Sequence, residues 1–257
     1  MMDSPPHLSL VIPHYNEADR LHLMEEGLAE MAQASAALDV EVLLVDDGSK
    51  DSTWEGMQKI ASEFETKHGK PEGGFEIRCL QQLPNAGKGV ALQKGIAEAK
   101  GNWILTLDAD MAAHPEELLK WQSTGKVDLN AKSGNMVSIG SREHPESTVI
   151  DPSGRRFMGH AFNLITRFLS GLPMKDTQCG FKLYPAALAK EVFGELVNTG
   201  WAHDVEVLMR IRKRGIPIQS LPIHWKAVDG SKVNPLTDSF KMFFALLEIR
   251  GAMRREG

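Results

Sequence analysis

The sequence has few of the features that mark disulfide-rich, membrane-spanning, secreted or nucleic-acid-binding proteins. Its only cysteines are Cys79 and Cys179, so neither a disulfide framework nor a cysteine zinc site is predicted, and a reducing compartment is expected. No stretch approaches the roughly 18 consecutive apolar residues of a membrane-spanning helix, and no basic segment followed by an apolar run marks a secretory signal. The formal net charge of -5 indicates no nucleic-acid partner. These shortages predict a cytoplasmic protein, either soluble or peripheral to a membrane.

Apolar strands and helical patterns alternate along the first half of the chain. This order is typical of an α/β protein with a mostly parallel central sheet flanked by helices. The second half is less regular and ends in a helical pattern. We predict strands at residues 8–13, 40–45, 75–81, 103–107, 137–141, 179–184 and 217–224. We predict helices at residues 17–36, 53–68, 90–100, 155–169, 202–214 and 240–255.

The motif Asp108-Ala109-Asp110 directly follows the apolar strand predicted at 103–107. Two carboxylates one residue apart repel each other unless a cation lies between them, and oxygen ligands of this kind suit Mg2+ or Mn2+. A metal that also bridges a diphosphate would neutralise that group as it departs. The alternative is that both carboxylates cap the helix expected to begin near Pro115.

Three further polar clusters lie where predicted strands end or helices begin. Asp46, Asp47 and Gly48 fit hydrogen bonds to a uracil or a ribose, and fit an ordinary turn equally well. The segment 13–17 is otherwise explained as a strand end with a helix cap. Lys88 lies at a helix N-terminus, where a cation is unfavourable unless an anion is bound nearby. Open α/β sheets bind ligands at the carboxyl ends of their strands, so such clusters favour a ligand site there.

Taken together, these motifs resemble family 2 glycosyltransferases. The stretches that carry the resemblance are LSLVIPHYNE, VLLVDDGSKDST, NAGKGVALQKGIAEAKGNWILTLDAD and GSRE. The dolichyl-phosphate β-glucosyltransferases and related polyprenyl-phosphate enzymes are resembled in particular by DTQCGFKLY, WAHDVEVL and IHWKAVDGSKVNP. The match runs from about Leu8 to Pro235. It implies a GT-A fold, a UDP-sugar donor with UDP-glucose favoured, inversion at the anomeric carbon, and a polyprenyl- or dolichyl-phosphate acceptor.

The resemblance also implies roles for individual residues. The donor nucleoside would be bordered by Pro13, Tyr15, Asn16, Glu17, Gly48 and either Asp46 or Asp47. Lys88 would lie near the base or the phosphates, and Asp108 and Asp110 would hold the metal and the diphosphate. Arg142 would lie near the sugar or the phosphates. The acceptor-side loop would contain Asp176, Gln178 and Cys179.

A phosphate acceptor changes what the site must provide, because its oxygens are already ionised and need positioning more than a base. We hypothesise that this phosphate is held by cations among Arg142, Arg155, Arg156 and Lys175, although each fits a solvated surface charge as well. Asp204 is predicted as an active-site carboxylate, which becomes the leading base if the acceptor is a hydroxyl. Its alternative role is a helix cap.

Two features depart from the relatives that the sequence resembles. Those relatives begin with a membrane-spanning helix, whereas this chain starts almost directly at its first strand. The residues Met111-Ala112-Ala113-His114 also replace the polar residues common after the metal motif. A third metal ligand would therefore have to be water or His114.

We expect one catalytic domain at residues 1–235, followed by an amphipathic helix at 236–257. The nucleotide-sugar half would end near residue 110 and the acceptor half would begin near 111. The C-terminal helix carries Lys241, Arg250, Arg254 and Arg255. It would lie on an anionic membrane face or pack against the domain or a second subunit.

These features predict an enzyme that works with a nucleotide sugar and a polyprenyl-phosphate lipid on the cytoplasmic face of a membrane. A homodimer or a membrane-protein partner remains open. Two alternatives use the same fold: transfer to a soluble or glycan hydroxyl, and an inactive nucleotide-sugar sensor. Nucleotidyltransferases overlap in architecture, but their glycine-rich, basic N-terminal loop is missing from this sequence.

Overall fold

The structure is a computed structural model that describes residues 6–35, 38–69, 71, 73–131, 134–151, 166–200, 202–228 and 235–256. Its strands are β1 Leu8–His14, β2 Val40–Asp46, β3 Phe75–Gln81, β4 Trp103–Thr106, β5 Val137–Gly140, β6 Thr148–Ile150, β7 Lys182–Pro185, β8 Ile218–Leu221 and β9 His224–Lys226. Its helices are α1 Leu21–Ala34, α2 Thr53–His68, α3 Lys88–Glu98, α4 Glu117–Ser123, α5 Ala186–Gly194, α6 His203–Lys213 and α7 Pro235–Arg255.

The central sheet has the strand order β3-β2-β1-β4-β7-β5-β8. Neighbouring strands pair in parallel, except that β7 is antiparallel to both β4 and β5. β1 and β2 are buried along their whole length, as expected for apolar strands that are covered on both faces. The predicted α/β class with a mostly parallel sheet is confirmed.

The strand order reverses at β1, which lies between β2 and β4. The chain builds outward from β1 to β3 and then returns to place β4 on the other side of β1. Such a reversal opens a crevice outside the carboxyl ends of the strands. The polar segments that follow β1, β2 and β4 are therefore brought to the same edge of the sheet.

Helices cover both faces of the sheet. One apolar cluster joins the sheet to α1 and α2 through Met24, Leu28 and Met57. A second cluster joins it to α3, α5, α6 and α7, and includes Leu92 and Leu208. With an apolar core on each face, the sheet is held as a rigid platform for the loops at its carboxyl edge.

The C-terminal helix α7 packs one of its faces onto the domain. Met242, Leu246 and Ile249 are buried in the cluster that includes α6. Among the described side chains of α7, Phe243, Phe244 and Leu247 are large, apolar and exposed. No helix within the described part of the chain is long and apolar enough to cross a membrane.

Some element boundaries predicted from the sequence are wrong. The helix predicted at 17–36 begins only at Leu21, because a 3-10 turn at Ala18–Arg20 intervenes. The strand predicted at 179–184 is β7, displaced to Lys182–Pro185. The strand predicted at 217–224 is two short strands, β8 and β9, since Pro222 has no N–H for a ladder. Of the helix predicted at 155–169, residues 152–165 lie outside the described residues, and 166–170 are helical.

Candidate active site

Asp108 and Asp110 lie just beyond the carboxyl end of β4, at the reversal of the strand order. Met111 next to them has a positive φ of 54°, and the N–H of Ala112 donates to Asp110 Oδ1 at 3.1 Å. Burial, together with the neighbouring charge of Asp108, raises the pKa of Asp110 above its usual value. The tight turn therefore holds two carboxylates together in a way that a cation would relieve.

Lys88 supplies one positive charge to this pair of carboxylates. Its Nζ lies 2.5 Å from Asp108 Oδ1, and it is the first residue of α3. Burial alone would lower the pKa of Lys88, but Asp108, Asp204 and Asp110 raise it above its usual value. The lysine is therefore charged at neutral pH.

The backbone at Gly180 lies against the carboxylate of Asp108. A Cβ built on Gly180 would lie 2.5 Å from Oδ2 and 2.6 Å from Cγ of Asp108. The carbonyl of Gly180 accepts a hydrogen bond from Thr106 Oγ1 of β4 at 2.9 Å, which fixes the two segments relative to each other. A side chain at this position, just before β7, would require the Asp108 carboxylate or the local backbone to shift.

Asp46 and Asp47 end β2, and both are buried. Asp47 accepts hydrogen bonds from Asn85 Nδ2 at 2.8 Å and from the N–H of Gly87 at 2.8 Å. Burial raises the pKa of Asp47, and the backbone N–H groups of the 85–87 loop oppose that rise. Gly48 has a positive φ of 69°, and its Cβ position lies 2.7 Å from the Asn85 nitrogen. The predicted Asp47 and Gly48 thus also position the loop that carries Lys88.

The loop after β1 is tied to the loop after β2. Asn16 has a positive φ of 53°, its N–H donates to Ser49 Oγ at 2.9 Å, and its Oδ1 accepts from the N–H of Lys50 at 2.8 Å. The N–H of Glu17 donates to Thr53 Oγ1 at 2.7 Å. Asn16 and Glu17, two of the residues expected to border the nucleoside, therefore form one rim with the segment that leads into α2.

Arg142 and Asp176 form a bidentate ion pair across 34 residues of sequence. Arg142 Nε donates to Asp176 Oδ2 and Nη2 donates to Oδ1, both at 2.8 Å. Asp176 is 2% exposed, and although burial alone would raise its pKa, Arg142 and Lys182 lower it. The Arg142 guanidinium also lies 5.5 Å from the Trp225 ring centre. Trp225 belongs to β9, which pairs in parallel with β6 in a separate two-stranded sheet.

Asp204, in the first turn of α6, is paired with a wholly buried lysine. Lys182 Nζ donates to Asp204 Oδ1 at 2.5 Å, and Lys182 also donates to the Cys179 carbonyl. Burial alone would raise the pKa of Asp204, but Lys182, His203 and Lys88 hold it well below the usual range. Asp204 is therefore a weak proton acceptor in this conformation.

Residues 9–193 match the family profile described as Glycosyl transferase family 2. The chain belongs to this family. It is 35% identical over 267 residues to the dolichyl-phosphate beta-glucosyltransferase of Homo sapiens, covering 99% of this chain and 80% of the relative. It is also 35% identical over 255 residues to that of Saccharomyces cerevisiae, covering 95% of this chain and 74% of the relative.

Solved structures of lower identity share the fold of this family 2 glycosyltransferase. Mannosyl-3-phosphoglycerate synthase from Rubrobacter xylanophilus aligns with a TM-score of 0.63 at 19% identity, covering 97% of this chain and 74% of that structure. Glucosyl-3-phosphoglycerate synthase from Mycobacterium tuberculosis, in complex with Mn2+ and UDP-glucose, aligns with a TM-score of 0.60 at 17% identity, covering 95% and 79%. The predicted GT-A fold is confirmed.

The donor set of this family 2 glycosyltransferase fits a divalent cation. Asp108 and Asp110 are carboxylates one residue apart, and burial together with the charge of Asp108 raises the pKa of Asp110. Hard oxygen ligands of this kind are those that Mg2+ and Mn2+ prefer. His114, considered from sequence as a third ligand, has its ring nitrogens 3.1 Å from Glu30 and 3.8 Å from Glu116 instead. These contacts direct His114 toward α1 and the segment before α4.

The remaining site residues predicted from the sequence lie in different parts of the structure. Arg155 and Arg156 lie outside the described residues. Lys175 is exposed, and Gln178 donates its backbone N–H to Asp176 Oδ1 at 3.3 Å. Cys179 is buried, and burial raises the pKa of its thiol to about 12, so it stays protonated. Pro13 is buried within β1, next to its polar end.

Sequence reasoning missed Gly180 and Lys182, which lie beside the metal motif and Asp204. A signal for Lys182 was present, because it is a lone cation inside the apolar run CGFKLY. A lysine at such a position has to be paired with an acid when it is buried. No comparable signal marks Gly180, since its contact with Asp108 depends on how β7 lies beside β4.

Proposed function

We propose that this protein transfers glucose from UDP-glucose to dolichyl phosphate or a related polyprenyl phosphate, with inversion at the anomeric carbon. The proposal extends the activity named for the curated relatives to this chain, which they match over nearly its full length. The observation in the site that carries it is the pairing of Asp204 with Lys182. That pair favours an acceptor that needs no strong base.

The acceptor chemistry follows from the state of Asp204. A hydroxyl acceptor requires a carboxylate that can take its proton, and a carboxylate with a lowered pKa does this poorly. A phosphate monoester is already ionised near neutral pH, so its oxygen can attack the anomeric carbon without losing a proton to the protein. Breaking the bond between the sugar and UDP then leaves the diphosphate as the departing group.

The donor would be held by the rim at the carboxyl edge of the sheet. The uridine would lie between the segment 13–17 and Asp46, Asp47 and Gly48, while Lys88 would contact the phosphates. Asp108 and Asp110 would hold Mg2+ or Mn2+, which when bound would neutralise charge on the departing diphosphate. The support for such a metal is the paired carboxylates and the Mn2+ named with the Mycobacterium tuberculosis relative.

The acceptor phosphate would approach from the side of Arg142 and the loop 175–179. Arg142 is held in place by Asp176, so its guanidinium is oriented before any substrate arrives. Lys175 is exposed at the start of the same loop. An oriented arginine and an exposed lysine suit recognition of a phosphate. Arg155 and Arg156 are included in this proposal on the sequence alone.

We place the protein on the cytoplasmic face of a membrane, as a peripheral protein attached in part through α7. Phe243, Phe244 and Leu247 are 39%, 65% and 45% exposed, and Arg250 and Arg254 follow on the same helix. Such a combination suits the headgroup region of an anionic bilayer. A second subunit or a membrane protein would be the alternative occupant of this face.

The test is transfer of label from UDP-[14C]glucose to a short polyprenyl phosphate in detergent, with Mg2+ or Mn2+ and with a chelator. We expect metal-dependent label in the lipid fraction. Asp204→Asn should leave the pH profile of kcat/KM unchanged, because no proton passes to Asp204. Asp128→Asn, on an exposed loop, is the matched control. Release of free glucose without lipid product, or loss of the acidic limb of the pH profile in Asp204→Asn, would contradict the proposal.

A further inference from the structure

The ammonium group of Lys88 lies where positive charge is needed by the metal motif. Its Nζ is 2.5 Å from Asp108 Oδ1, and its side chain is only 24% exposed. Asp108 and Asp110 together carry two negative charges, so Lys88 already balances one of them. A divalent cation that enters this site meets a carboxylate that is engaged and a positive charge that repels it.

The backbone that carries Lys88 is fixed, so only its side chain can respond. The N–H of Gly89 donates to the Thr199 carbonyl at 2.9 Å, and a Cβ on Gly89 would lie 2.6 Å from that oxygen. This close contact anchors the first turn of α3 to the segment before α6. The four-carbon side chain of Lys88 remains free to turn about its own bonds while the helix stays in place.

A lysine at a helix N-terminus is unfavourable by itself. The positive end of the α3 dipole repels the ammonium group, which is stabilised here by Asp108. An anion bound at the same helix end would attract both the dipole and Lys88. The diphosphate group of a bound nucleoside diphosphate would be such an anion, and it would lie close to the metal motif.

We propose that Lys88 couples metal binding to donor binding. Without donor, its ammonium group neutralises Asp108 and opposes a divalent cation at Asp108 and Asp110. When a nucleoside diphosphate binds, its phosphate oxygens accept hydrogen bonds from Lys88. Asp108 is then no longer paired with Lys88 and can bind the metal. The proposal rests on the proposed function only in requiring a nucleoside diphosphate and a divalent cation at this site; it does not depend on the acceptor.

The proposal has a thermodynamic consequence that can be measured without turnover. UDP should raise the affinity for Mn2+ and Mn2+ should raise the affinity for UDP by the same factor, because binding linkage is reciprocal. Part of that factor comes from direct contact between metal and phosphate and persists in any variant. The part due to Lys88 should vanish when its charge is removed.

The experiment is titration of Mn2+ into the full chain, followed by electron paramagnetic resonance of the free ion, with and without UDP. Lys88→Met should bind Mn2+ about tenfold more tightly than the wild type without UDP, and the enhancement by UDP should shrink by at least the same factor. Lys88→Arg retains the charge and should keep the weak binding without UDP. Lys100→Met, exposed just beyond α3, should behave as the wild type.

The possible outcomes distinguish a failure of the coupling by Lys88 from a failure of the proposed function. Lys88→Met with wild-type Mn2+ affinity and wild-type enhancement by UDP would overturn the coupling. Weaker Mn2+ binding in Lys88→Met without UDP, in a variant that unfolds at the wild-type temperature, would overturn it as well. If coupling is found but no glucose reaches a polyprenyl phosphate, the proposed acceptor fails and the role of Lys88 stands.

Discussion

Replacing Gly180 by alanine tests whether the contact between Gly180, just before β7, and the metal motif sets the position of Asp108. The added Cβ would lie 2.5 Å from Asp108 Oδ2, whereas ordinary van der Waals contact begins at 3.4 Å. The Asp108 carboxylate or the backbone at Gly180 would therefore have to move by about 0.9 Å. The hydrogen bond from Thr106 to the Gly180 carbonyl opposes movement of the strand, so we expect most of the displacement at Asp108.

A displacement of about 1 Å at a catalytic centre can lower the rate by about 100-fold. That factor corresponds to about 2.7 kcal/mol of lost transition-state stabilisation. Gly180→Ala should therefore reduce kcat/KM for glucosyl transfer by about 100-fold and weaken Mn2+ binding in the presence of UDP. Overpacking should also lower the free energy of unfolding by about 1–3 kcal/mol.

The assay compares initial rates with labelled UDP-glucose, Mn2+ affinity and urea unfolding for the variant and the wild type. Gly194→Ala is the matched control, because no atom lies within 4 Å of its Cβ position. It should leave kcat/KM and Mn2+ affinity unchanged and should raise the free energy of unfolding by at most about 1 kcal/mol, as expected for Gly→Ala in a helix. A folded Gly180→Ala with wild-type kcat/KM and wild-type metal affinity would refute the claim that this contact positions Asp108.

Two further predictions concern pH and the membrane face. Burial lowers the pKa of His14 to about 4, so the unfolded state binds more protons between about pH 4 and 6.5, and stability should fall by about 3 kcal/mol as the pH drops through that window. His14→Asn should remove this part of the slope in urea unfolding followed from pH 7 to 4, and an unaltered slope would count against it. Serine at Phe243, Phe244 and Leu247 together should lower sedimentation with anionic vesicles about tenfold or more at an unchanged unfolding temperature. Equal sedimentation of this triple variant and the wild type would exclude that face as a membrane contact.

The membrane contact of α7 is better tested by substitutions than by deleting the helix, because one face of α7 packs against the domain. Met242, Leu246 and Ile249 are buried against the domain, and Arg210 of α6 donates to Glu256 at 2.9 Å. Deleting the helix would expose this core and destabilise the whole protein. Substitutions at the exposed positions leave the packed face intact, so a loss of vesicle binding can be assigned to the surface itself.

The central sheet could be predicted from the sequence because its strands are continuous apolar runs. β1, β2 and β4 are buried, and each is followed by polar residues that mark its carboxyl end. Where strands end is therefore visible in composition, and parallel strands bring those ends together. The direction of β7 could not be predicted in this way, because it depends on the path taken by the long connection after Asp110.

Pairing between distant residues is the part of the site that the sequence left open. Arg142 and Asp176 were each predicted as substrate contacts, but they bind each other across 34 residues. Lys182 and Asp204 are 22 residues apart and on different elements. Nothing in local spacing indicates such pairs, because they form only when β7, the loop before it and α6 pack together. Single motifs indicated the chemistry, whereas the partners depend on the tertiary fold.

Three carboxylates of the site are each paired with a cation, and these pairs bear on which carboxylates could hold a metal. Asp176 is matched by Arg142 and Asp204 by Lys182, so both are held as fixed anions that orient a cation. Lys88 is paired with Asp108. Burial and the charge of Asp108 raise the pKa of Asp110, although Arg20 and Lys88 oppose that rise. A divalent cation arriving with a diphosphate would offset the repulsion between these carboxylates and the charge that leaves with UDP, and for this reason we propose the metal site at Asp108 and Asp110 rather than at the more deeply buried Asp176 and Asp204.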